Sequence, residues 1–521
     1  MQSTRPQRRT EGPDDQTFHD EIEGYFGALS AAPGGSVTLH VSTRCDRFDV
    51  TIERWGAERE VVWQRSGVPG SFIAPPPDAD AFGCGWPVSV DVGVGDDWRP
   101  GFHLATLRAH DAAPGRDVAH AGFVVRAGAV RESMVLVLDT NTWNAYNTWG
   151  GRSLYTGGHR VSFGRPFARG MLCRPDIDRD DRKARPVRWG ESPDADGQIF
   201  QEYRTVNSYP SAIGSAGWFT HGRRFVEWAE RAGYRFDMLV SSDLEEQPDL
   251  LDGYELVVSV GHDEYWSAGQ RATVERHVAQ GGHFTSCSGN TMFWQVRLDA
   301  DPDGTLGMTC HKYRAHLDDP VVAAGEPASA TGMWADPTVG RPEWSFLGAG
   351  SAFGLYHRFG QATARGVGGF VVYRDDHWLI DGSGLRYGDV LGAAHGAVGY
   401  ETVGCPVTFG EDQLPVPWPR NDLPAEQQIV AMVPSSNLGV GEYPASIAAL
   451  SDQGDLEFVA DRIFGGDRRR ARHGNAVITT CRPFPGGGEV VTIGTTDWVF
   501  ALGRDAAVDR VTSNALQRHL P

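Results

Sequence analysis

The chain contains 521 residues, of which 40% are hydrophobic, and carries a formal net charge of −19. This length exceeds what one ordinary hydrophobic core serves, so two or three domains are expected. The acidic excess argues against nucleic acid or an anionic membrane surface as the main partner, because either would repel the protein.

The N-terminal residues and the cysteines bear on the cellular compartment. Met1–Asp15 is polar, with no apolar run behind its arginines, so a secretory signal is not expected. No stretch approaches the roughly 20 apolar residues that a membrane-spanning helix needs. The seven cysteines are scattered without a CxxC pair, which indicates neither a disulfide framework nor a zinc ribbon. These features predict a cytoplasmic protein.

The first elements along the chain are predicted to be a polar arm and a β-sandwich. The arm covers residues 1–33, with one short helix around Phe18–Leu29. Residues 34–130 hold short alternating runs between Pro-, Gly- and Asp-rich clusters, a pattern typical of an Ig-like antiparallel sandwich. This part shows no catalytic pattern, so support or docking is its predicted role. The predicted strands are Val37–Val41, Phe48–Arg54, Val88–Val92, Gly101–Arg108 and Ala121–Val125.

Residues 131–521 alternate strands with helices, which predicts an α/β domain with a mostly parallel, doubly wound sheet. The Gly- and Pro-rich stretch at about 299–482 is interpreted as a β-rich insertion or lid. Helices are predicted at Phe225–Arg231, from an N-cap at Ser267 to Gln280, after Gly289 and within Asp505–His519. Strands are predicted at Met134–Leu138, Tyr234–Val240, Tyr254–Val260, His283–Cys287 and Glu489–Gly494.

Polar and aromatic side chains follow four of these strands. Ligands of open α/β sheets bind beyond the carboxyl ends of the strands, so the four loops predict one shared pocket. Asn147 and Asn290 are candidates for positioning substrate or shuttling a proton. The predicted lining of the substrate pocket is Trp143, Tyr146, Trp149, Trp266 and Asp497.

The densest of these loops is Gly261–Ser267. An imidazole, two carboxylates and a phenol occupy four consecutive positions from His262 to Tyr265. Such side chains can serve as metal ligands or as a general acid/base pair, and His262 and Glu264 are the catalytic candidates. The alternative is structural, with Asp263 or Glu264 capping the following helix and Tyr265 and Trp266 packing beneath it.

The segment Ser286–Asn290 offers a different chemistry. It runs from a strand into a glycine-containing turn and resembles a nucleophile elbow, with Ser288 at the exposed position and Cys287 beside it. Both glycines of the G-x-S-x-G pattern are replaced, by Ser286 and Asn290. A buried cysteine followed by a turn-forming Ser-Gly-Asn is the competing interpretation.

Several motifs in this order resemble the large (β) subunits of N,N-dimethylformamidase and their relatives. The resemblance runs from about residue 130 to the C-terminus, and the preceding sandwich is similar as well. The motifs are Thr140-Asn141-Thr142-Trp143, Ala145-Tyr146-Asn147, Trp149-Gly150-Gly151, Ser153-Leu154-Tyr155, Gly261–Ser267, Ser288-Gly289-Asn290-Thr291, Trp294-Gln295-Val296-Arg297 and Gly494-Thr495-Thr496-Asp497-Trp498.

The resemblance implies a glutamine-amidotransferase-like α/β core and a mononuclear ferric (Fe³⁺) centre held by two tyrosines and one glutamate. Tyr265 matches one of these tyrosines, His221 takes the place of the other, and Glu343 is the nearest candidate for the glutamate. Phenolate and carboxylate oxygens suit a hard ferric ion.

The leading hypothesis is therefore a metal-dependent hydrolase of the C–N bond of a small amide or formamide. A Ser288 or Cys287 nucleophile hydrolase or amidotransferase-like enzyme is the second hypothesis. The third is a binding or assembly protein whose site has degenerated. The expected partner is a small-molecule substrate, and a homo-oligomer or a small partner subunit remains open.

Overall fold

The structure, a computed structural model, describes residues 21–174, 209–210, 213–359, 368–419, 422–443 and 454–521. The fold is mixed α/β. In the N-terminal part the strands are β1 (Ile22–Phe26), β2 (Ser30–Ala31), β3 (Ser36–Thr43), β4 (Arg47–Trp55), β5 (Arg59–Pro69), β6 (Val90–Gly93), β7 (Gly101–Ala109) and β8 (Val118–Val125). The following strands are β9 (Met134–Leu138), β10 (Arg160–Ser162), β11 (Asp237–Val240), β12 (Leu256–His262), β13 (Tyr265–Ser267), β14 (His283–Gly289), β15 (Trp294–Ala300) and β16 (Leu306–Thr309). The last strands are β17 (Phe370–Val372), β18 (Val390–Leu391), β19 (Val407–Phe409), β20 (Pro415–Pro417), β21 (Ala425–Ser436), β22 (His473–Arg482) and β23 (Val490–Ile493).

The helices are short apart from two of twelve residues. They are α1 (Ala79–Phe82), α2 (Thr140–Tyr146), α3 (Arg223–Arg231), α4 (Ser241–Glu246), α5 (Ala268–Ala279), α6 (Ala315–Asp318), α7 (Pro320–Ala323), α8 (Trp344–Leu347), α9 (Asp455–Ile463), α10 (Arg468–Arg472) and α11 (Ala506–Gln517). The predicted Ser267 cap is confirmed, since its hydroxyl oxygen accepts the Gln270 N–H at the start of α5. No helix in the described part of the chain is long and apolar enough to cross a membrane.

Two sheets built from β1–β8 enclose a common hydrophobic core. One sheet has the order β1-β3-β6 and the other β2-β8-β7-β4-β5, and all pairs except β2 with β8 are antiparallel. The core forms because alternate residues along β3 and β4 face inward. The sequence predicted five of these strands close to their observed positions.

The predicted helix around Phe18–Leu29 is wrong where the chain is described. Ile22–Phe26 is strand β1 and pairs antiparallel with β3. The apolar run is too short for its periodicity to distinguish a helix from a strand. The pairing with β3 makes it a strand. Phe18 itself, like the rest of residues 1–20, lies outside the described residues.

The main sheet has nine strands in the order β11-β9-β12-β14-β23-β22-β21-β17-β18. The first five are mutually parallel, and the remaining four pair antiparallel. The parallel strands are continuous buried runs, as strands covered on both faces should be. Four strands from the predicted insertion thus extend the main sheet. The sheet is mixed rather than mostly parallel, and the predicted domain boundaries stay predictions.

The strand order locates the natural ligand crevice. Among the parallel strands the chain enters at β9, places β11 on one side and then adds β12, β14 and β23 on the other. Such an order reverses direction between β9 and β12, and crevices open at the carboxyl ends of strands at this switch point. The loops after β9 and β12 are the ones that the sequence marked as polar.

The N-terminal sheets and the main sheet share a hydrophobic core. Phe102 of β7 stacks on Trp218 with ring centroids 4.1 Å apart. Arg54 at the end of β4 forms a 2.5 Å ion pair with Glu230 of α3. The N-terminal part is therefore packed firmly against the elements that precede the site.

Candidate active site

The site begins with β12, which ends at His262. Gly261, just before it, has a φ of +83°, and a Cβ there would lie 2.3 Å from the Cβ of His221. Only glycine therefore allows β12 to approach the π-helical turn Trp218–Gly222 this closely. The chain then turns through Asp263 and Glu264 into β13.

Three buried side chains form a compact group, the His262–Glu264–Glu401 cluster. One potential ligand atom from each lies within 4.8 Å of the others. His262 Nε2 is 2.6 Å from Glu401 Oε2 and 3.2 Å from Glu264 Oε2, but neither contact is an aligned hydrogen bond. His262 Nδ1 lies 2.8 Å from the Ser215 carbonyl oxygen. Because a carbonyl only accepts, Nδ1 carries a proton, and a neutral ring would turn an Nε2 lone pair toward two carboxylates.

Glu264 is surrounded by hydrogen-bond donors. The Tyr155 hydroxyl lies 2.7 Å and the Tyr146 hydroxyl 3.2 Å from Oε2, and the Trp294 indole N–H donates to Oε1 at 2.7 Å. Tyr265 stands one step further out, with its hydroxyl donating to that of Tyr155 at 2.9 Å. Three phenols thus gather at one carboxylate.

Glu401 has fewer donors. Asn290, in the turn after β14, donates Nδ2 to Glu401 Oε2 at 3.1 Å. The Ser351 hydroxyl in turn donates to Asn290 Oδ1 at 2.6 Å. Asn290 has a φ of +50°, a left-handed conformation that asparagine tolerates better than most residues.

Burial and charge separate the pKa values of the two carboxyls. Burial raises the pKa of Glu401. Burial also acts on Glu264, but the adjacent His262 ring, the Lys312 ammonium and the Tyr155 hydroxyl hold the pKa of that carboxyl below its usual range. Burial opposes a charged His262, yet Tyr400, Glu401 and Glu264 raise its pKa well above the usual value. Paired carboxyls with diverging pKa values are typical of acid/base sites.

Lys312 brings a buried cation to the same place. Its ammonium lies 3.1 Å from the ring centroid of Tyr155 and 5.4 Å from that of Tyr265. Burial lowers the pKa of Lys312 to about 8, although Glu264 opposes this change. The residue also has a φ of +49°, which is rare for a lysine. A buried cation on a strained backbone is a frequent property of functional residues.

The three predicted metal ligands have different neighbours among the described residues. Tyr265 joins the site through Tyr155. His221 is buried against Gly261, and its ring centroid is 5.9 Å from that of Phe500. Glu343 is fully buried and accepts the Ser351 N–H at 3.2 Å, so within the described part of the chain its hydrogen bonds lead to Glu401 through Ser351 and Asn290. Neither His221 nor Glu343 belongs to the compact group found among the described residues.

The predicted positioning residue Asn147 is occupied by its own loop. Its Nδ2 donates to the Pro166 carbonyl, and its Oδ1 accepts the N–H groups of Trp149 and Ala168. These hydrogen bonds shape the segment directly after α2, the helix that ends at Tyr146. Arg165 adds to this by donating to the carbonyls of Trp149 and Asn147.

Of the predicted pocket lining, Tyr146 contacts the cluster directly, whereas the recorded contacts of the three tryptophans are with other residues. Trp143 donates to Asp139 Oδ1, Trp149 packs edge-on against Trp86, and Trp266 donates to the Asp263 carbonyl oxygen. Asp497 is buried, and its N–H donates to the carbonyl oxygen of Gly399, near Glu401 in the chain.

The proposed nucleophile elbow is not present as a turn at Ser288. This residue lies within β14, where its hydroxyl accepts the Asp263 N–H and donates to the Gly289 carbonyl oxygen. Burial raises the pKa of the Cys287 thiol to about 12. The helix predicted after Gly289 is also wrong, because a turn leads directly into β15. These contacts supply no base to activate either nucleophile.

Sequence reasoning missed Glu401 and Lys312, and it placed Tyr155 only within a motif. Glu401 lies in the Gly-rich stretch without a predicted strand before it. A signal existed for Lys312, because it is one of only two lysines in a chain that otherwise uses arginine. Burial lowers the pKa of a lysine far more readily than that of an arginine. A lysine in a chain rich in arginine is therefore a candidate for a chemical role.

The fold and the cluster define a class: a mixed α/β protein with buried histidine, carboxylate, phenol and lysine groups at the switch point of its main sheet. The sequence model of the family described as "N,N-dimethylformamidase beta subunit-like, C-terminal" matches residues 49–512. The chain therefore belongs to this family, which confirms the resemblance seen in the motifs and points to a hydrolase. No curated protein matches the chain significantly.

Proposed function

We propose that the protein hydrolyses the C–N bond of a small formamide or amide at the His262–Glu264–Glu401 cluster, with a bound metal ion. The family supports the substrate class, since its description names N,N-dimethylformamidase. The observation that carries the proposal is the His262 Nε2 atom, buried between two carboxylate oxygens without an aligned hydrogen bond.

The donor set fits a hard cation. A lone pair facing two carboxylates repels them unless a proton or a metal ion lies between. The Tyr146 and Tyr155 hydroxyls beside Glu264 add phenol oxygens, the ligands that favour ferric iron. In this proposal Glu264, His262 and these phenols hold the ion, which would act as a Lewis acid on an amide carbonyl or a water molecule.

The remaining groups divide the proton chemistry. Glu401, whose pKa burial raises, takes a proton from the attacking water as the new C–O bond forms. The Lys312 ammonium stabilises the negative charge that develops on the carbonyl oxygen. When the C–N bond breaks, the departing nitrogen takes the proton back, so that a carboxylic acid and an amine leave. Trp294 keeps Glu264 oriented through its indole N–H.

Metal analysis of the purified protein and two matched glutamine variants tests the ligand assignment. Glu264→Gln should lose the metal, whereas Glu343→Gln should keep it, because among the described residues Glu343 is linked to the cluster through Ser351 and Asn290. The opposite result would favour the ligand set with Glu343. A phenolate-to-iron absorption band lost in Tyr155→Phe but kept in Tyr265→Phe would identify the inner phenol, and the reverse would make Tyr265 the ligand.

Turnover is measured by amine release from a panel of N-substituted formamides and small amides. We expect Glu401→Gln to retain metal and lose activity at least about a hundredfold, the usual size of a general-base contribution. Metal-free wild-type protein with full activity would refute the metal, and covalent labelling of Ser288 or Cys287 would favour the nucleophile mechanism. Metal-loaded protein without turnover on the panel would favour a binding protein.

The family description also names a beta subunit. We therefore include in the proposal that the chain works with a second kind of subunit or with further copies of itself. Light scattering on the purified chain gives its mass, and co-expression with neighbouring small open reading frames tests for a stable companion.

A further inference from the structure

Asn290 is useful to Glu401 in only one orientation of its amide. A carboxylate only accepts hydrogen bonds, so Nδ2 must face Glu401 Oε2, and the contact is 3.1 Å. If the amide rotated by half a turn, Oδ1 would face the carboxylate and repel it. The carboxylate thus selects the end of the amide, and the contact then depends on what holds the amide in place.

Ser351 touches the other end of that amide. Its hydroxyl donates to Asn290 Oδ1 at 2.6 Å, and both residues are buried. This bond satisfies Oδ1 and holds the side chain of Asn290 at its distance from Glu401. The hydroxyl therefore anchors the outer end of the amide, while the carboxylate selects which end faces inward.

The backbone at Ser351 is itself held firmly. Gly350 and Gly404 exchange backbone hydrogen bonds of 2.7 and 3.1 Å, which ties the Ser351 loop to the segment that carries Glu401. The Ser351 N–H donates to Glu343 Oε1. A Cβ on Gly350 would lie 2.4 Å from that same oxygen, so any larger residue there would displace the Glu343 carboxyl.

We propose that Ser351 is a positioning residue that fixes the amide of Asn290 and, through it, the carboxylate of Glu401. The inference rests on the proposed function, because it assigns Glu401 to the reaction. Ser351 acts through Asn290 and touches neither Glu401 nor the substrate in this scheme. Glu343, which the sequence suggested as a metal ligand, holds the Ser351 backbone.

A double-mutant cycle tests the dependence on Asn290. We expect Ser351→Ala to lower kcat about tenfold with little change in KM, and Asn290→Ala to lower kcat more. Because Ser351 acts only through Asn290, the double variant should match Asn290→Ala rather than multiply the two losses. Ser351→Thr, which keeps the hydroxyl, should recover most of the activity. Multiplicative losses, or an unchanged kcat in Ser351→Ala, would overturn the proposal.

A second measurement does not depend on turnover. A crystal structure of Ser351→Ala should show the Asn290 side chain displaced, with its contact to Glu401 Oε2 beyond hydrogen-bond distance, while Ser351→Thr keeps the 3.1 Å contact. An unchanged contact in Ser351→Ala would overturn the positioning role. Inactive wild-type protein with a displaced Asn290 in Ser351→Ala would instead reject the proposed hydrolase while leaving the positioning role supported.

Discussion

Replacing Glu343 by glutamine should make the protein less sensitive to alkaline pH. The carboxyl is fully buried, Oε1 accepts the Ser351 N–H, and Oε2 has no hydrogen-bond partner among the described residues. Burial is the main reason that the pKa of Glu343 is raised to about 7 from 4.5, and the charge of Arg271 offsets it only in part. The folded protein therefore prefers the protonated carboxyl.

The sign follows from proton linkage. Between pH 4.5 and about 7 the folded state holds a proton that the unfolded state has lost, so stability falls as pH rises and levels off above pH 7. At 1.36 kcal/mol per pKa unit, the full effect is about 3 kcal/mol. Glutamine keeps an acceptor for Ser351 and does not titrate. Its buried NH₂ group adds a constant cost of about 1–3 kcal/mol.

Chemical unfolding of both proteins from pH 5 to pH 8.5 measures the effect. The free energy of unfolding of Glu343→Gln, minus that of the wild type, should rise by about 2–3 kcal/mol over this range, since part of the titration lies below pH 5. All other groups titrate in both proteins and cancel. A difference that stays constant with pH would refute the reasoning. A constant difference is also what a Glu343 already ionised in the fold would give, as a metal ligand would be, because neither state then exchanges a proton over this range.

Three further outcomes are expected. Ser267→Ala removes the N-cap of α5 and should lower the free energy of unfolding by about 1 kcal/mol in urea titrations, and no change would show that water replaces the cap. Lys312→Met should lower kcat at least about tenfold. Wild-type kcat should fall as pH rises through about 8, where the ammonium loses its proton. A pH profile of kcat without this fall would show that Lys312 takes no part in the reaction. Arg54→Ala breaks the pair with Glu230 and should cost about 2 kcal/mol of stability, whereas an unchanged melting temperature would show that the shared aromatic core suffices to join the two parts.

The strands and the first half of the site follow from patterns in the sequence. Met134–Leu138 is a continuous apolar run and forms β9 as predicted. The polar residues directly after β9, β12 and β14 lie at one edge of the sheet because parallel strands end together. This rule accounts for the hydrogen bond between Tyr146 and Glu264 and for the position of Asn290 beside the same cluster, where it contacts Glu401.

No comparable rule predicts the positions of Glu401 and Lys312, which form the other half of the site. Glu401 lies outside the named strands and helices, and Lys312 opens a three-residue 3₁₀ turn with a left-handed φ of +49°. The helix predicted at Ile22–Phe26 was wrong for a related reason. So short a run fits a helical and a strand periodicity equally well, and only its pairing with β3 makes it a strand.

By itself the sequence determined the family, the buried parallel strands, the cap of α5 and the loops that carry polar groups, because each depends on residues close together in the chain. Tertiary structure decided that Glu401 and Lys312 complete the site, and that Glu343 supports Ser351. Glu401 lies 111 and 139 positions from its partners Asn290 and His262. Glu343 and Ser351 are only 8 positions apart, but no periodic pattern in the sequence marks their contact. Local preferences carry no information about which distant segments the folded sheet will bring together.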